Sequence, residues 1–116
     1  MECTLHAQTT GNLQRFALKG GLTIYGAADI KQAFMRQYDH RCQVQVSLRE
    51  IDEIDSAGLQ LLYAFKAFAA TKNTDFSLTD HSSAVLEAME LLGMTALFGD
   101  PVLMPARADL AEGGEA

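Results

Sequence analysis

The spacing of apolar residues changes repeatedly along this chain, and no other feature constrains the fold as strongly. Within Gln43–Leu48 the apolar residues alternate with polar ones, which is the period of a half-buried β-strand. Within Ala27–Tyr38 they recur every three or four residues, which is the period of an amphipathic helix. Because a chain that alternates strands with helices buries both by laying the helices on a sheet, the pattern predicts an α/β fold.

Eight helices and strands are predicted, in the order β-β-β-α-β-α-β-α, followed by a last short turn or strand. The first strand covers Thr4–Thr9, and two short strands, Arg15–Leu18 and Leu22–Tyr25, flank a tight turn at Gly20-Gly21. The later elements are a helix over Ala27–Tyr38, a strand over Gln43–Leu48, a helix from near Asp55 to Thr71, a strand over Phe76–Thr79, a helix that Ser82 or Ser83 caps and Gly93 ends, and a last turn or strand over Ala96–Phe98. We expect one mixed-sheet domain over residues 1–105 and a frayed tail over residues 106–116.

The helical periods also predict which side chains face the core. In the helix from Asp55 the expected core face consists of Leu61, Leu62, Phe65, Phe68 and Ala69. A second, narrower stripe lies about 120° round the same helix and need not be buried by the same sheet. Its members are Leu59, Tyr63 and Ala70. In the last helix the residues expected to face inward are Val85, Leu86, Met89 and Leu92.

Composition argues against several classes of function. The 116 residues carry 15 acidic and 9 basic side chains, a formal charge of −6, so a nucleic-acid partner is not expected. Cys3 and Cys42 have no motif spacing, which favours free thiols over a disulfide framework. The first residues lack the pattern of a signal peptide, and no apolar run approaches the roughly 20 residues that span a bilayer. We therefore expect a cytoplasmic protein without membrane insertion.

No set of residues predicts an enzyme, a metal site or a cofactor. The acids between positions 50 and 55 do not match the ligand spacing of a calcium-binding loop, and we interpret them as a solvated loop. The histidines, at His6, His40 and His81, are scattered. Gly20-Gly21 lacks the spacing of a phosphate-binding loop, and the chain has no nucleophile elbow. We therefore predict that the protein is not an enzyme.

The segment EIDEIDSAGLQLLYAF, from Glu50 to Phe65, places an Asp-Ser pair between a run of acids and an apolar helix. One interpretation is that Asp55 and Ser56 act as helix caps and have no other role, since their side-chain oxygens accept N–H bonds from a first turn. Ser56 is also a favourable phosphate site, because the start of a helix stabilises a phosphate of about −1.5 to −2 charge. The acids would repel that phosphate, which would make the modified state differ sharply from the unmodified one. Gly58 indicates a close approach to the backbone, either by a partner or by a neighbouring strand.

Three segments carry a family resemblance and cover most of the chain in the expected order. They are GGLTIYGAADIKQAF (Gly20–Phe34), VQVSLREIDEIDSAGLQLLYAFKAFA (Val44–Ala69) and FSLTDHSSAVLEAMELLGMTALF (Phe76–Phe98). Together they resemble the STAS domain, the fold of bacterial anti-sigma factor antagonists. The most specific piece, IDSAGLQLL (Ile54–Leu62), is similar to the Asp-Ser/Thr-x-Gly-Leu signature of that family at the start of its second helix. The resemblance implies a mixed sheet with helices packed on one side.

In switching members of that family, the serine or threonine after the aspartate is phosphorylated by a partner kinase that is itself the anti-sigma factor. The resemblance therefore implies that Ser56 is the phosphate acceptor, that phosphorylation releases the partner and so regulates transcription, and that a phosphatase restores binding. Gly58 would let the partner's surface come close, and Leu59 and Tyr63 would form part of the contact face. The implied partner-binding residues are Asp55, Ser56, Ala57, Gly58, Leu59, Tyr63, Thr23 and Tyr25.

One stretch departs from the pattern of the antagonists. They often carry Gly-Glu/Asp-Leu/Ile-Asp after the second strand, whereas this chain has Gly20-Gly21-Leu22-Thr23, with neither acid. The run Leu22–Tyr25 looks more like STAS proteins found beside chemotaxis or other two-component genes. A second hypothesis is therefore a constitutive subunit or scaffold of a chemotaxis or two-component system, or of a lipid ABC transporter, docked on its ATPase through the same surface. The oligomeric state stays open.

Overall fold

The structure of the protein, a computed structural model, describes residues 2–93. The elements in this range are β1 (Cys3–Thr10), β2 (Leu13–Leu22), α1 (Ala27–Gln37), β3 (Gln43–Ile54), α2 (Ser56–Thr71), β4 (Phe76–Thr79) and α3 (Ser83–Leu91). The predicted turn or strand over Ala96–Phe98 and the predicted tail over residues 106–116 lie outside the described residues. None of the three helices is long and apolar enough to cross a bilayer, a statement that covers residues 2–93.

The four strands form one mixed sheet in the order β1-β2-β3-β4. The β1–β2 pair is antiparallel, and the β2–β3 and β3–β4 pairs are parallel. Alternate side chains such as Phe16, Val46 and Leu78 are buried on one face, while Arg15 and Lys19 on the other face are exposed. Because only one face is covered, the predicted arrangement of a mixed sheet with helices on one side is confirmed.

Phe34 of α1 is at the centre of the core and is fully buried. Its ring centroid lies 4.7 Å from that of Phe16 in β2 and 4.1 Å from that of Phe65 in α2, so one side chain joins the sheet to two helices. Most of the predicted core face of α2 is buried, with Phe68 half-buried at its edge. In α3, Ser82 is the amino cap and Val85 and Met89 are buried, as predicted.

The predicted turn at Gly20-Gly21 is wrong, because β2 continues through both glycines as far as Leu22. A side chain at Gly20 would place its Cβ 2.1 Å from the carbonyl oxygen of Glu2, and the residue has φ of +106°. The glycine therefore lets the start of β1 approach closely rather than reversing the chain. The reversal lies at residues 11–12 instead, between β1 and β2, so the structure has one strand fewer before α1 than the sequence predicts.

Two further predictions need correction. The acids Glu50, Asp52 and Glu53 are not in a loop, because β3 extends to Ile54 and its pairing with β2 shifts register twice to accommodate the extra length. Their side chains are still exposed, with Ile51 buried between them. Leu92 was expected to face inward, but it is the carboxyl cap of α3, where the helical period ends, and it is 48% exposed.

Candidate functional site

The carboxylate of Asp55 joins the two segments of the candidate site. Asp55 is the amino cap of α2, and its Oδ1 accepts a hydrogen bond of 2.9 Å from the backbone N–H of Gly58, which confirms the predicted capping role. Its Oδ2 accepts a second bond, 3.0 Å long, from the backbone N–H of Ile24 in the turn between β2 and α1. No local pattern predicts this second bond, because the partner is 31 residues away. One side chain thus holds the start of α2 and the β2–α1 turn together.

Gly58 is packed against β2. A Cβ at this position would lie 2.1 Å from the carbonyl oxygen of Leu22 and 2.8 Å from Cγ1 of Ile54, so no larger residue fits without displacing backbone. The N–H of Asp55 also points to the carbonyl oxygen of Leu22, at 3.4 Å. Of the two explanations for Gly58, the structure shows close packing on a neighbouring strand and not an opening for a partner.

Leu59 was predicted to contact a partner, and its burial contradicts that prediction. Its side chain has 0% exposure, because the close approach at Gly58 presses the first turn of α2 into the core. Tyr63, one turn further along the same stripe, is 39% exposed. The stripe is therefore divided, with Leu59 in the core and Tyr63 at the surface.

Ser56 is the first residue of α2, and it is exposed. Its hydroxyl is therefore accessible from solvent, at the helix end where the backbone dipoles favour negative charge. Ala57, the next residue, is half-buried. The neighbouring carboxylate of Asp55 accepts its hydrogen bonds from the N–H groups of Gly58 and Ile24.

The β2–α1 turn, residues 23–26, is the other half of the site. Thr23 is buried, and its Oγ1 accepts a bond of 3.3 Å from the N–H of Tyr25, while its carbonyl oxygen accepts one of 3.0 Å from the N–H of Gly26. Tyr25 is 94% exposed and Ile24 is 67% exposed. Thr23 was predicted as a contact residue, but it is buried and its oxygens accept hydrogen bonds from the backbone of the turn. Ile24 was not among the predicted contact residues. The signal that could have found it is its position before Ala27, outside the apolar stripe that predicts burial in the helix.

Other candidate groups are not brought to this site. Within residues 2–93, no three histidine, cysteine, aspartate or glutamate side chains converge as metal ligands would. Cys3 and Cys42 are free thiols, and burial raises the pKa of Cys3. A cavity of about 680 Å³ lies on the open face of the sheet, lined by residues that include His6, Arg15 and Asp80, but by none of the predicted partner-binding residues.

The sequence model of a protein family described as "Mlab, STAS domain" matches residues 5–104 of the chain. No curated protein matches the chain. The fold is similar to that of the anti-sigma factor antagonist SpoIIAA in its unphosphorylated form, with a TM-score of 0.57 and 13% identity over 94% of this chain and 97% of that one.

Two further solved structures are similar. An antisigma-factor antagonist STAS domain from Rhodobacter sphaeroides has a TM-score of 0.54 and 14% identity, over 72% of this chain and 95% of that chain. SLC26A9 has a TM-score of 0.67 and 10% identity, over 94% of this chain. The chain spans about a fifth of the length of SLC26A9, 21%. At these identities the likeness concerns the fold alone.

Proposed function

This chain belongs to the STAS domain family, and on that premise we propose that it is a non-enzymatic, cytoplasmic regulator whose binding to a protein partner is switched by phosphorylation of Ser56. The observation that carries the proposal is the exposed hydroxyl of Ser56 at the first position of α2. By analogy with the anti-sigma factor antagonists, the partner would be an anti-sigma factor that is also the serine kinase, and a phosphatase would reverse the reaction.

Electrostatics supports a release by phosphorylation. A phosphate on Ser56 would add a charge of about −1.5 to −2 beside the carboxylate of Asp55. The strand before it ends with the exposed acids Asp52 and Glu53, and the segment 50–65 contains no basic residue. A partner bound over Ser56 would have to desolvate this added charge, so the modified protein would bind far more weakly.

A second candidate function is a constitutive subunit, for example of a lipid ABC transporter or a signalling array. The observation in its favour is the sequence at the β2–α1 turn, where Gly21 and Thr23 replace the acids that switching antagonists often carry and the exposed Ile24 and Tyr25 follow. An apolar surface of this kind suits a contact that persists. In that case the Ser56 surface binds its partner without ever being modified.

The first experiment is an intact-mass measurement on protein from its native host, followed by peptide fragmentation to locate any phosphate. The second is partner capture by the wild-type protein and the variants Ser56→Ala and Ser56→Asp. Ser83→Asp is the matched control, because Ser83 is also an exposed serine at the first position of a helix. The Ser83→Asp variant would carry the same added negative charge, at a residue that is not among the proposed contact residues.

The switch predicts that Ser56→Asp loses a partner that wild-type protein, Ser56→Ala and Ser83→Asp all retain. Retention by every variant, with no phosphate in the native protein, would favour the constitutive subunit. A phosphate at another residue, with Ser56 unmodified, would refute the assignment of Ser56.

A further inference from the structure

The strand β1 forms an open edge of the sheet. In the order β1-β2-β3-β4 it lies at one side, and within residues 2–93 its only strand partner is β2. The strand at the opposite edge, β4, is four residues long, whereas β1 has eight residues. Because every second residue of an edge strand turns its backbone N–H and C=O groups away from the sheet, β1 presents a row of these groups to the outside.

The pairing with β2 shows which residues of β1 point outward. The backbone N–H of Gly21 donates to the carbonyl oxygen of Glu2 at 3.3 Å, and the register then runs unbroken through all eight residues of β1. Bonded and non-bonded residues alternate in an antiparallel pair, so from Glu2 onwards the even-numbered residues bond to β2. The odd-numbered residues point their N–H and C=O groups away from β2. They are Cys3, Leu5, Ala7 and Thr9.

This edge lacks the features that usually prevent edge strands from pairing, a statement that concerns β1, which the structure describes in full. Edge strands are commonly protected by charged side chains, proline, bulges or short length. The sequence of β1, CTLHAQTT, contains no lysine, arginine, aspartate, glutamate or proline, and its register with β2 has no shift. A long, regular and uncharged edge of this kind favours pairing with another strand.

The two faces of β1 indicate what kind of strand fits beside it. On the core face, Leu5 and Ala7 pack against the core but remain half-buried, so a further strand would cover more of their apolar surface. On the opposite face, Thr4 and Gln8 are exposed polar residues without charge. A matching strand therefore needs apolar side chains on one face and uncharged polar side chains on the other, which is the pattern of β1 itself.

An antiparallel copy of β1 fits this edge in a register that uses every outward-pointing group. With the two-fold axis at His6, residue 5 lies opposite residue 7 of the copy, and residue 3 lies opposite residue 9. The outward-pointing residues then form four pairs of two backbone hydrogen bonds each. Leu5 faces Ala7 of the copy on the core side, and Thr4 faces Gln8 of the copy on the open side, so the side chains match on both faces.

We propose that β1 is the dimer interface of this protein, occupied by β1 of a second copy that pairs with it antiparallel about His6. The four strands of each copy then form one continuous sheet. The paired residues, 3–9, include none of those predicted to contact the regulatory partner. The inference goes beyond the proposed function and does not depend on it.

Sedimentation velocity of the full chain, from micromolar to millimolar concentration, measures the dimer directly. A slightly alkaline buffer keeps histidine uncharged. The mass is expected to rise with concentration from 12.6 kDa towards twice that value. His6→Lys places two ammonium groups opposite each other on the axis and should raise the dimer Kd about fivefold. Gln60→Lys is the matched control, because Gln60 is exposed on α2 and gains the same charge away from β1.

A proline variant tests the backbone pairing. Ala7→Pro removes an N–H group that points away from β2, so the pairing with β2 keeps its hydrogen bonds while the pairing with the copy loses two. We expect a monomer at every concentration for this variant. Thermal melts check that it remains folded, and the His6→Lys comparison supplies the same test through a side chain that lies in solvent.

Cysteine crosslinking tests the register. In a background of Cys3→Ser and Cys42→Ser, His6→Cys should form an intermolecular disulfide on oxidation with copper–phenanthroline. Residues that lie opposite each other without mutual hydrogen bonds are within disulfide distance. Thr4→Cys and Gln8→Cys should each fail to crosslink alone but should crosslink when the two proteins are mixed, because position 4 lies opposite position 8.

The outcomes are distinct from those of the phosphorylation experiments. A wild-type protein that is a monomer at every concentration would overturn the dimer, and so would a dimer that His6→Lys and folded Ala7→Pro leave as tight as wild type. Crosslinking of Thr4→Cys alone would overturn the axis at His6. If a partner depends on Ser56 but the protein is monomeric, the dimer is refuted and the switch stands. If the dimer forms but no partner depends on Ser56, the switch is refuted and the dimer stands.

Discussion

The two ends of α2 use aromatic side chains in opposite ways. Near its carboxyl end, Phe65 stacks on Phe34, and Phe68 lies edge-on to Tyr38 with ring centroids 5.7 Å apart. We call this region the aromatic end. At its amino end, the Ser56 end, the aromatic ring of Tyr25 lies almost entirely in water. Aromatic rings are therefore buried at one end of α2, whereas the exposed ring of Tyr25 at the other end adds little to the core.

Both ends nevertheless fix their backbone with a bridging polar side chain. At the aromatic end, the buried Gln14 donates to the carbonyl oxygen of Gln37 and accepts from the N–H of Asp39 at 2.9 Å. At the Ser56 end, Asp55 bridges Gly58 and Ile24. A bridging polar side chain therefore fixes the backbone beside the core at the aromatic end, and another holds an exposed turn in place at the Ser56 end.

The largest expected effect is at the aromatic end. Phe34→Ala would remove a fully buried ring that contacts the sheet and two helices, and it should lower the free energy of unfolding by about 3–5 kcal/mol. Urea denaturation measures this, with Met35→Ala as the exposed neighbour for comparison. A loss as small as that of Met35→Ala would show that the ring of Phe34 does not contribute the expected stability.

At the Ser56 end, Gly58→Ala should be costly for a different reason. The new Cβ would meet the backbone oxygen of Leu22, which cannot move aside as a side chain can, so we expect a loss of about 1–3 kcal/mol and weaker partner binding. Gly26→Ala is the control, since a Cβ there meets nothing within 4 Å. Equal unfolding midpoints for the two variants would contradict the close packing at Gly58.

A pair of tyrosines compares the two ends directly. Tyr38 is half-buried and its ring centroid is 5.4 Å from that of Phe34, so Tyr38→Ala should destabilise the protein by about 2 kcal/mol. Tyr25→Ala should change stability by less than about 0.5 kcal/mol. If chemical denaturation gives the two variants the same loss, the division of roles between the two ends is wrong.

The smallest effect concerns an exposed ion pair beside the aromatic end. Hydrogen bonds from the Arg41 guanidinium lower the pKa of Asp39 from 3.8 to about 2. Because the folded-state pKa is lowered, the stabilisation is complete above 3.8 and is lost as the pH falls through about 2. NMR titration of the Asp39 carboxyl should show this value, and Arg41→Gln should return it towards 3.8. A wild-type carboxyl that titrates near 3.8 would refute the pairing.

Local sequence patterns correctly predicted elements whose apolar spacing repeats over several residues and helices that begin at a capping side chain. The helix over Ala27–Tyr38 differs from α1 by one residue, and Asp55 and Ser82 cap the helices that they were expected to cap. The errors arose where the conformation or burial of a residue depends on a contact with a residue far away in the sequence. Gly20 was interpreted as a turn because its close contact, the carbonyl oxygen of Glu2, is invisible in the local pattern.

The sequence by itself determined the α/β class, the resemblance to the STAS family and the position of Ser56 at the start of a helix, because periods, caps and motifs are local. Only the tertiary structure decided which residues around Ser56 reach solvent. The packing of Gly58 on Leu22 buries Leu59, while the bond from Ile24 to Asp55 holds Ile24 and Tyr25 outward. Both contacts join residues about thirty or more positions apart, and pairings over that distance depend on how the sheet and helices assemble.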